Sequence, residues 1–177
     1  MRKLIGVFIL IATASSVFAE DLKLPNFTFQ SIDGGKIELN QFAGKTLLIT
    51  NTASRCGFTG QYGGLQEIHD QYAKEGLVVL GVPSKDFRQE LSFNEEVKQF
   101  CETNFNITFP MTEITKVVGR DAHPLYKWLL EKYNFRPRWN FNKVLISKNG
   151  IVVNTFGSTV GPKSKKLRSA LIESFKK

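Results

Sequence analysis

Apolar positions along the chain form short strand-like runs and longer amphipathic segments. The strand-like runs are rich in β-branched and aliphatic residues and end at turn residues; they are 27–29, 36–39, 46–50, 77–82, 143–147 and 151–156. The third and fourth runs are apolar through their centres, which is typical of central strands covered on both faces. Asp33-Gly34-Gly35 separates the first two runs and Asn149-Gly150 the last two, so we expect a β-hairpin at each place.

Four further segments have helical spacing. Their apolar faces contain Leu65, Ile68 and Tyr72; Val97, Phe100 and Cys101; Leu125, Trp128 and Leu129; and Leu167, Leu171 and Phe175. Ser92 followed by Glu95 predicts a capping box at the start of the second helix, and His123-Pro124 predicts the start of the third. Strands separated by helices require crossovers, while the late hairpin adds antiparallel strands. The order predicts one α/β domain over 20–177 with a thioredoxin-like fold, in which helices flank a central mixed sheet and an N-terminal β-hairpin precedes it.

The first 19 residues have the pattern of a secretory signal peptide. Arg2 and Lys3 are followed by an apolar stretch over 4–13, and Val17-Phe18-Ala19 supplies small residues at the positions −3 and −1 of a cleavage site. The apolar stretch is short for a bilayer span. We therefore expect a soluble exported protein, periplasmic or secreted, with an uncleaved membrane anchor as the alternative.

Composition fits a globular protein and the charge is uneven. Hydrophobic residues make up 42% of the 177 residues and charged residues 23%, which is too apolar for a disordered chain. The formal net charge of +8 falls to +6 without residues 1–19. Residues 20–133 carry −3 and residues 134–177 carry +9, so the basicity belongs to the last quarter of the chain. A solvated helix face is the simplest explanation of that basic end.

Several common functional motifs do not fit the sequence. Gly44-Lys45-Thr46 resembles the end of a phosphate-binding loop, but Leu39 stands where the first glycine is required. The two cysteines and two histidines are too widely spaced for a zinc site. The basic end does not interleave aromatic residues in an RNA-binding pattern. We therefore expect no metal, no cofactor and no nucleic acid.

Cys56 is the strongest candidate for chemistry. It follows the strand at 46–50, precedes a helix and lies between Arg55 and Gly57. The carboxyl end of a strand and the amino end of the next helix form an open, electropositive corner, which favours an exposed thiolate. A buried structural cysteine is the alternative. Cys101 lies on the apolar side of its helix, where it is either a small hydrophobic residue, half of a structural disulfide, or a partner that resolves oxidised Cys56.

Two separate motifs resemble the glutathione peroxidase family. The first is the segment 51–59, Asn-Thr-Ala-Ser-Arg-Cys-Gly-Phe-Thr, which resembles the sequence around the family's peroxidatic residue. The second is the segment 139–143, Trp-Asn-Phe-Asn-Lys. Shorter matches lie at 61–67, 76–81, 109–110 and 122–126, so the resemblance runs in order from about residue 24 to the end.

The resemblance implies a thiol peroxidase and assigns roles to Cys56, Trp139, Asn140, Asp86 and Cys101. Cys56 would be the peroxidatic cysteine, and Trp139 and Asn140 would donate hydrogen bonds from their indole and amide N–H groups. Without the resemblance, Trp139 would be a core aromatic residue and Asn140 a turn or strand-edge residue. Asp86 stands where the family has a glutamine; a carboxylate there would oppose thiolate formation unless it pairs with Lys85 or Arg88 or accepts a proton.

Cys101 matches the resolving cysteine of members that use thioredoxin-like reductants. The segment between Leu129 and Trp139 lacks the longer insertion of tetrameric members, so the resemblance implies a monomer. The substrate would be hydrogen peroxide or an organic or lipid hydroperoxide, and the reductant a thioredoxin-like dithiol, with glutathione as the other candidate. We expect well-separated sulfurs in the reduced state.

Two other functions stay open at this point. The first is a thiol–disulfide oxidoreductase of the thioredoxin superfamily, which the absence of Cys-x-x-Cys disfavours. The second is a non-catalytic exported binding protein, with a structural disulfide and a basic end that binds an anionic surface.

Overall fold

The computed structural model describes residues 22–176, so the predicted signal peptide lies outside the described residues. The strands are β1 (Thr28–Gln30), β2 (Lys36–Glu38), β3 (Thr46–Thr52), β4 (Leu77–Pro83), β5 (Lys143–Ile146) and β6 (Val152–Phe156). The helices are α1 (Gln61–Tyr72), α2 (Asn94–Phe105), α3 (Pro124–Tyr133) and α4 (Lys165–Ser174), with a short 3-10 helix at Leu39–Phe42. None of the helices in this described part is long and apolar enough to cross a membrane.

Four strands form the central mixed sheet in the order β4-β3-β5-β6. β3 pairs parallel with β4 and antiparallel with β5, and β5 pairs antiparallel with β6. β1 and β2 form a separate antiparallel hairpin. The predicted architecture, including the N-terminal hairpin, is confirmed.

Successive side chains along each strand point to opposite faces of the sheet, so the hydrophobic core is divided between the two faces. On one face, Leu48, Val79 and Leu145 pack in a cluster with residues of α1, α2 and α4, and both cysteines belong to this cluster. On the other face, Leu47, Ile49, Leu80 and Ile146 pack with α3 and with the β1–β2 hairpin. Every residue of β3 and β4 is buried, as their apolar runs predicted.

The start of α2 differs from the prediction. The helix begins at Asn94 with Phe93 as its N-cap, so Ser92 and Glu95 do not form the predicted capping box. Glu96 instead accepts hydrogen bonds from the backbone N–H groups of Ser92 (3.1 Å) and Phe93 (3.2 Å). The helix therefore starts one residue later than the Ser-x-x-Glu pattern indicated, because Glu96, one position after Glu95, reaches the free N–H groups. At α3 the prediction is confirmed, since the His123 ring accepts from Leu125 N and Pro124 is the first helical residue.

Part of the basic end is paired with α1. Lys163 and Arg168 both contact the Glu67 carboxylate, at 2.5 Å and 3.0 Å. These ion pairs lower the pKa of Glu67, with the Lys163 hydrogen bond as the main cause. The two positive charges thus help to hold α4 against α1.

Lys143 is a fully buried lysine at the start of β5. Its amine donates a hydrogen bond to Phe141 O (2.7 Å), and no carboxylate pairs with it among the described residues. Burial lowers the pKa of Lys143 from its usual 10.5 to about 7. The folded protein therefore binds fewer protons at this amine than the unfolded chain does between pH 7 and 10.5.

We predict that Lys143 makes the protein more stable as pH rises above 7. Its contribution to the free energy of unfolding should increase by up to ~1.4 kcal/mol per pH unit toward pH 10.5. Urea unfolding at pH 7, 8 and 9 should show this slope in wild type and a flatter one in Lys143→Met. Exposed Lys148→Met is the control and should keep the wild-type slope. Parallel curves for wild type and Lys143→Met would contradict the prediction.

Candidate functional site

Cys56 lies in a tight turn between the end of β3 and the start of α1. Thr59 holds the turn: its hydroxyl accepts from Cys56 N (3.0 Å) and donates to Cys56 O (2.6 Å). Phe58 N donates to Cys56 Sγ at 3.4 Å. This N–H group can donate to negative charge that develops on the sulfur during a reaction. Cys56 is 8% exposed, so in this state it is buried and not exposed as its position after β3 predicted.

Cys101 lies in the middle of α2, and both cysteines are unbonded. Its side chain is 1% exposed. Burial raises the pKa of Cys101 to about 12, and the nearby Glu90 and Glu102 charges add to the effect, while the buried Tyr62 hydroxyl acts against it. In this state Cys101 is a protonated, enclosed thiol with low nucleophilicity.

Asn51, the sixth residue of β3, holds the 139–142 loop. Its side-chain amide donates to Trp139 O (3.0 Å), and its side-chain oxygen accepts from Asn142 N (3.1 Å). Its backbone adds two bonds, from Phe141 N to Asn51 O (2.6 Å) and from Asn51 N to Asn142 O (3.2 Å). The sequence contains a usable signal for this role, because Asn51 is a polar residue in a strand that is otherwise buried and mostly apolar.

The loop presents Trp139 and Asn140 in different environments. Trp139 is 42% exposed and packs against Phe87, with ring centroids 5.6 Å apart. Asn140 is fully buried; its side-chain amide donates to Gln89 Oε1 (2.9 Å), and its side-chain oxygen has no hydrogen-bond partner among residues 22–176.

Asp86 directs its carboxylate to the segment that precedes α3. One oxygen, Oδ2, accepts from Val117 N (2.6 Å) and Val118 N (3.0 Å). This oxygen therefore caps two backbone N–H groups. Neither Lys85 nor Arg88 forms an ion pair with Asp86 among the described residues.

Gln89 and Glu90 contact the cysteine turn, and sequence reasoning missed both. Gln89 O accepts from Arg55 N (2.8 Å), and Glu90 Oε1 accepts from Ser54 N (3.0 Å) and from Leu91 N (2.8 Å). Burial raises the pKa of Glu90, and these hydrogen bonds oppose the rise. No sequence pattern indicated these contacts, because they depend on how the loop after β4 folds back.

Comparisons with known proteins show the family of this chain. The family model "Glutathione peroxidase" matches residues 24–130. The hydroperoxy fatty acid reductase gpx1 of Synechocystis is 41% identical over 77% of this chain and 87% of its own. The glutathione peroxidase-like peroxiredoxin GPX5 of Chlamydomonas reinhardtii is 42% identical over 76% of this chain and 86% of its own.

Solved structures show the same fold. The crystal structure of Trgpx in apo form has a TM-score of 0.67 and 36% identity, and the match covers 86% of this chain and 95% of that one. A thiol:disulfide interchange protein of the thioredoxin family from Chlorobium tepidum has a TM-score of 0.66 at 16% identity, over 86% and 95% of the two chains, which shows the shared fold alone. Because the family model matches residues 24–130 and relatives at 41–42% identity cover about three quarters of the chain, this chain belongs to the glutathione peroxidase family and is a peroxidase.

Proposed function

We propose that the protein reduces hydroperoxides with Cys56 as the peroxidatic residue and Cys101 as the resolving residue. The observation that carries this proposal is the Cys56 turn, in which the backbone N–H of Phe58 donates to the sulfur of a residue that is 8% exposed. The Trp139–Asn140 loop, held by Asn51 at the end of the same strand, would supply the further N–H donors.

In the first step, the Cys56 thiolate attacks the terminal oxygen of the hydroperoxide. An S–O bond forms and the O–O bond breaks, leaving Cys56 sulfenic acid and an alkoxide or hydroxide that takes a proton. The amide of Asn140 and the indole of Trp139 would stabilise the developing negative charge. Hydrogen peroxide and organic or lipid hydroperoxides are the proposed substrates, in line with the Synechocystis relative's name.

In the second step, Cys101 attacks the Cys56 sulfur. An S–S bond forms, the S–O bond breaks, and hydroxide leaves as water after it takes a proton. Because Cys101 is buried in α2 with a pKa of about 12, the helix must open locally before this attack. Disulfide formation also needs Cα atoms within about 7 Å. A thioredoxin-like dithiol protein, acting on a monomer, then returns both sulfurs to thiols.

A role limited to anion binding by the basic end has less support. Lys163 and Arg168 both pair with Glu67, so part of the positive charge of the basic end is neutralised within the protein. The alternative activity, that of a thiol–disulfide oxidoreductase, has support from the fold alone.

We predict that peroxide-dependent turnover with thioredoxin requires both cysteines. Cys56→Ser should abolish peroxide reduction, because it removes the attacking sulfur. Cys101→Ser should still form one equivalent of sulfenic acid, detected with a dimedone probe, but should not turn over with thioredoxin. Turnover with glutathione alone that is unaffected by Cys101→Ser would refute the two-cysteine scheme. Dithiol exchange without peroxide consumption would favour the oxidoreductase.

We further propose that Asp86 supports the site by capping Val117 and Val118. Asp86→Ala should reduce the free energy of unfolding by about 1–3 kcal/mol, because two backbone N–H groups lose their acceptor. Asp86→Asn keeps an oxygen acceptor and should retain most of the stability and of the peroxide rate. A stable Asp86→Asn protein whose peroxide rate falls ~100-fold would instead indicate proton transfer by the carboxylate.

We also propose that residues 1–19 direct export and are removed. The charged start, apolar centre and Val17-Phe18-Ala19 support this proposal. N-terminal sequencing of exported protein should begin at Glu20, and Ala19→Arg should block processing. An exported, membrane-bound protein that retains Met1 would indicate an uncleaved anchor.

A further inference from the structure

The carboxyl group of Glu90 is buried beside the cysteine turn, and its two oxygens differ in their contacts. Oε1 accepts from Ser54 N (3.0 Å) and from Leu91 N (2.8 Å). Oε2 is buried and has no hydrogen-bond partner of normal geometry among residues 22–176. Because buried polar atoms are nearly always hydrogen-bonded, a free carboxyl oxygen on a residue that is 9% exposed needs a physical explanation.

Glu90 belongs to one buried cluster with Tyr62 and Cys101. Tyr62 is fully buried; burial is the main cause of its raised pKa, and the negative charges that Cys101 and Glu90 can carry raise it further. The Glu90 charge also adds to the effect of burial on the pKa of Cys101. The carboxyl group that binds the cysteine turn therefore also acts on the second cysteine.

The groups that act on the Glu90 carboxyl come from four parts of the chain. They are Ser54 of the cysteine turn, Tyr62 of α1, Cys101 of α2, and Lys85 and Leu91 of the segment between β4 and α2. Burial is the largest effect and raises the pKa of Glu90, while hydrogen bonds from Ser54 and Leu91 and the charge of Lys85 oppose the rise. A carboxyl whose pKa is moved toward neutral pH can both take and give a proton during a reaction.

Disulfide formation requires a proton to move from one cysteine to the other. Cys101 must lose its thiol proton before its sulfur attacks, and the oxygen that leaves Cys56 must gain a proton. Burial raises the pKa of Cys101 to about 12, so spontaneous ionisation supplies little thiolate at pH 7. A carboxyl that binds the Cys56 turn and acts on Cys101 can accept the first proton and donate it in the second transfer.

The position of Glu90 does not depend on α2. Its Oε1 binds Ser54 N, two residues before Cys56, whereas α2 begins later in the chain, at Asn94. An opening of α2 that brings the Cys101 thiol to Cys56 therefore also brings it to the Glu90 carboxyl.

We propose that Glu90 is the acid–base residue of the resolving step, in which its carboxylate takes the proton of the Cys101 thiol and gives it to the oxygen that leaves Cys56. The S–S bond forms as the S–O bond breaks, water leaves, and the carboxylate ends the step as it began. The proposal rests on the proposed function for the roles of the two cysteines. It does not depend on the reductant, which acts after the disulfide has formed.

Glu90→Gln tests this inference, because it keeps an oxygen acceptor for Ser54 N and removes the group that takes the proton. Glu102→Gln is the matched control, since Glu102 is an exposed glutamate whose charge also acts on Cys101. One equivalent of hydrogen peroxide starts a single turnover. Two rates are then measured in each protein by thiol alkylation and mass spectrometry: oxidation of Cys56 and formation of the Cys56–Cys101 disulfide.

At pH 7, Glu90→Gln should slow disulfide formation ~100-fold or more and leave Cys56 oxidation close to the wild-type rate. The wild-type rate of disulfide formation should fall at acidic pH, as the Glu90 carboxylate takes up a proton, and should level off above the pKa of that carboxyl. In Glu90→Gln it should instead rise about tenfold per pH unit toward the pKa of Cys101. Glu102→Gln should keep the wild-type rate and pH profile.

Disulfide formation at the wild-type rate in Glu90→Gln would overturn the proposal, as would an equal loss in Glu102→Gln or an equal slowing of both steps. If Glu90→Gln does not fold, the wild-type pH profile decides: a rate that still climbs about tenfold per pH unit above pH 8 shows ionisation of a thiol and overturns the proposal. Failure of the proposed function has a different result, in which wild type itself forms no sulfenic acid or keeps it without forming a disulfide.

Discussion

The geometry of the site depends on the four hydrogen bonds between Asn51 and the 139–142 loop. Asn51 belongs to β3, the strand that pairs with both β4 and β5 and leads into the Cys56 turn. A side chain with one donor and one acceptor group, placed at this point, can bind a loop in only one register. The buried central strand thereby holds both the Cys56 turn and the 139–142 loop in place, although these two segments are more than 80 residues apart in sequence.

The same buried core also limits the reactivity of the second cysteine, Cys101. Cys101 packs with Tyr62, Leu65 and Phe141 on one face of the sheet, where a thiol is stable and a thiolate is not. As the proposed resolving residue, Cys101 can attack the Cys56 sulfur only after α2 opens. Its burial has a chemical consequence, because an enclosed, protonated thiol reacts slowly with external oxidants.

The sequence predicts the framework of this fold better than it predicts the site. Apolar runs place β3 and β4 within two residues of their observed ends, and the position of Cys56 after a buried strand follows from the same pattern. Local polar signals are less reliable: Ser92 and Glu95 have the spacing of a capping box, but Glu96 makes the contacts. Gln89 has no local signal in its own segment for the contact it makes, since its side chain binds a residue 51 positions away.

The hydrogen bond between Asn140 and Gln89 lies between two segments of unusual backbone conformation. Among the described residues four non-glycine residues have positive φ, and two of them, Asn106 and Asn134, are ordinary left-handed caps at the ends of α2 and α3. The other two are Arg88, next to Gln89, and Phe141, next to Asn140. Asparagine tolerates this conformation through local hydrogen bonds, whereas arginine and phenylalanine carry a cost of roughly 1–2 kcal/mol each.

Such a cost persists only where surrounding contacts offset it. At Phe141 the offsetting contacts are its N–H bond to Asn51 O and the packing of its buried ring against Tyr62, with centroids 5.4 Å apart. At Arg88 they are the turn onto Lys85 and the bonds that Gln89 and Glu90 make immediately afterwards. Arg88 precedes Gln89 and Phe141 follows Asn140 in the sequence. The hydrogen bond between Gln89 and Asn140 therefore joins the two segments that contain these strained residues.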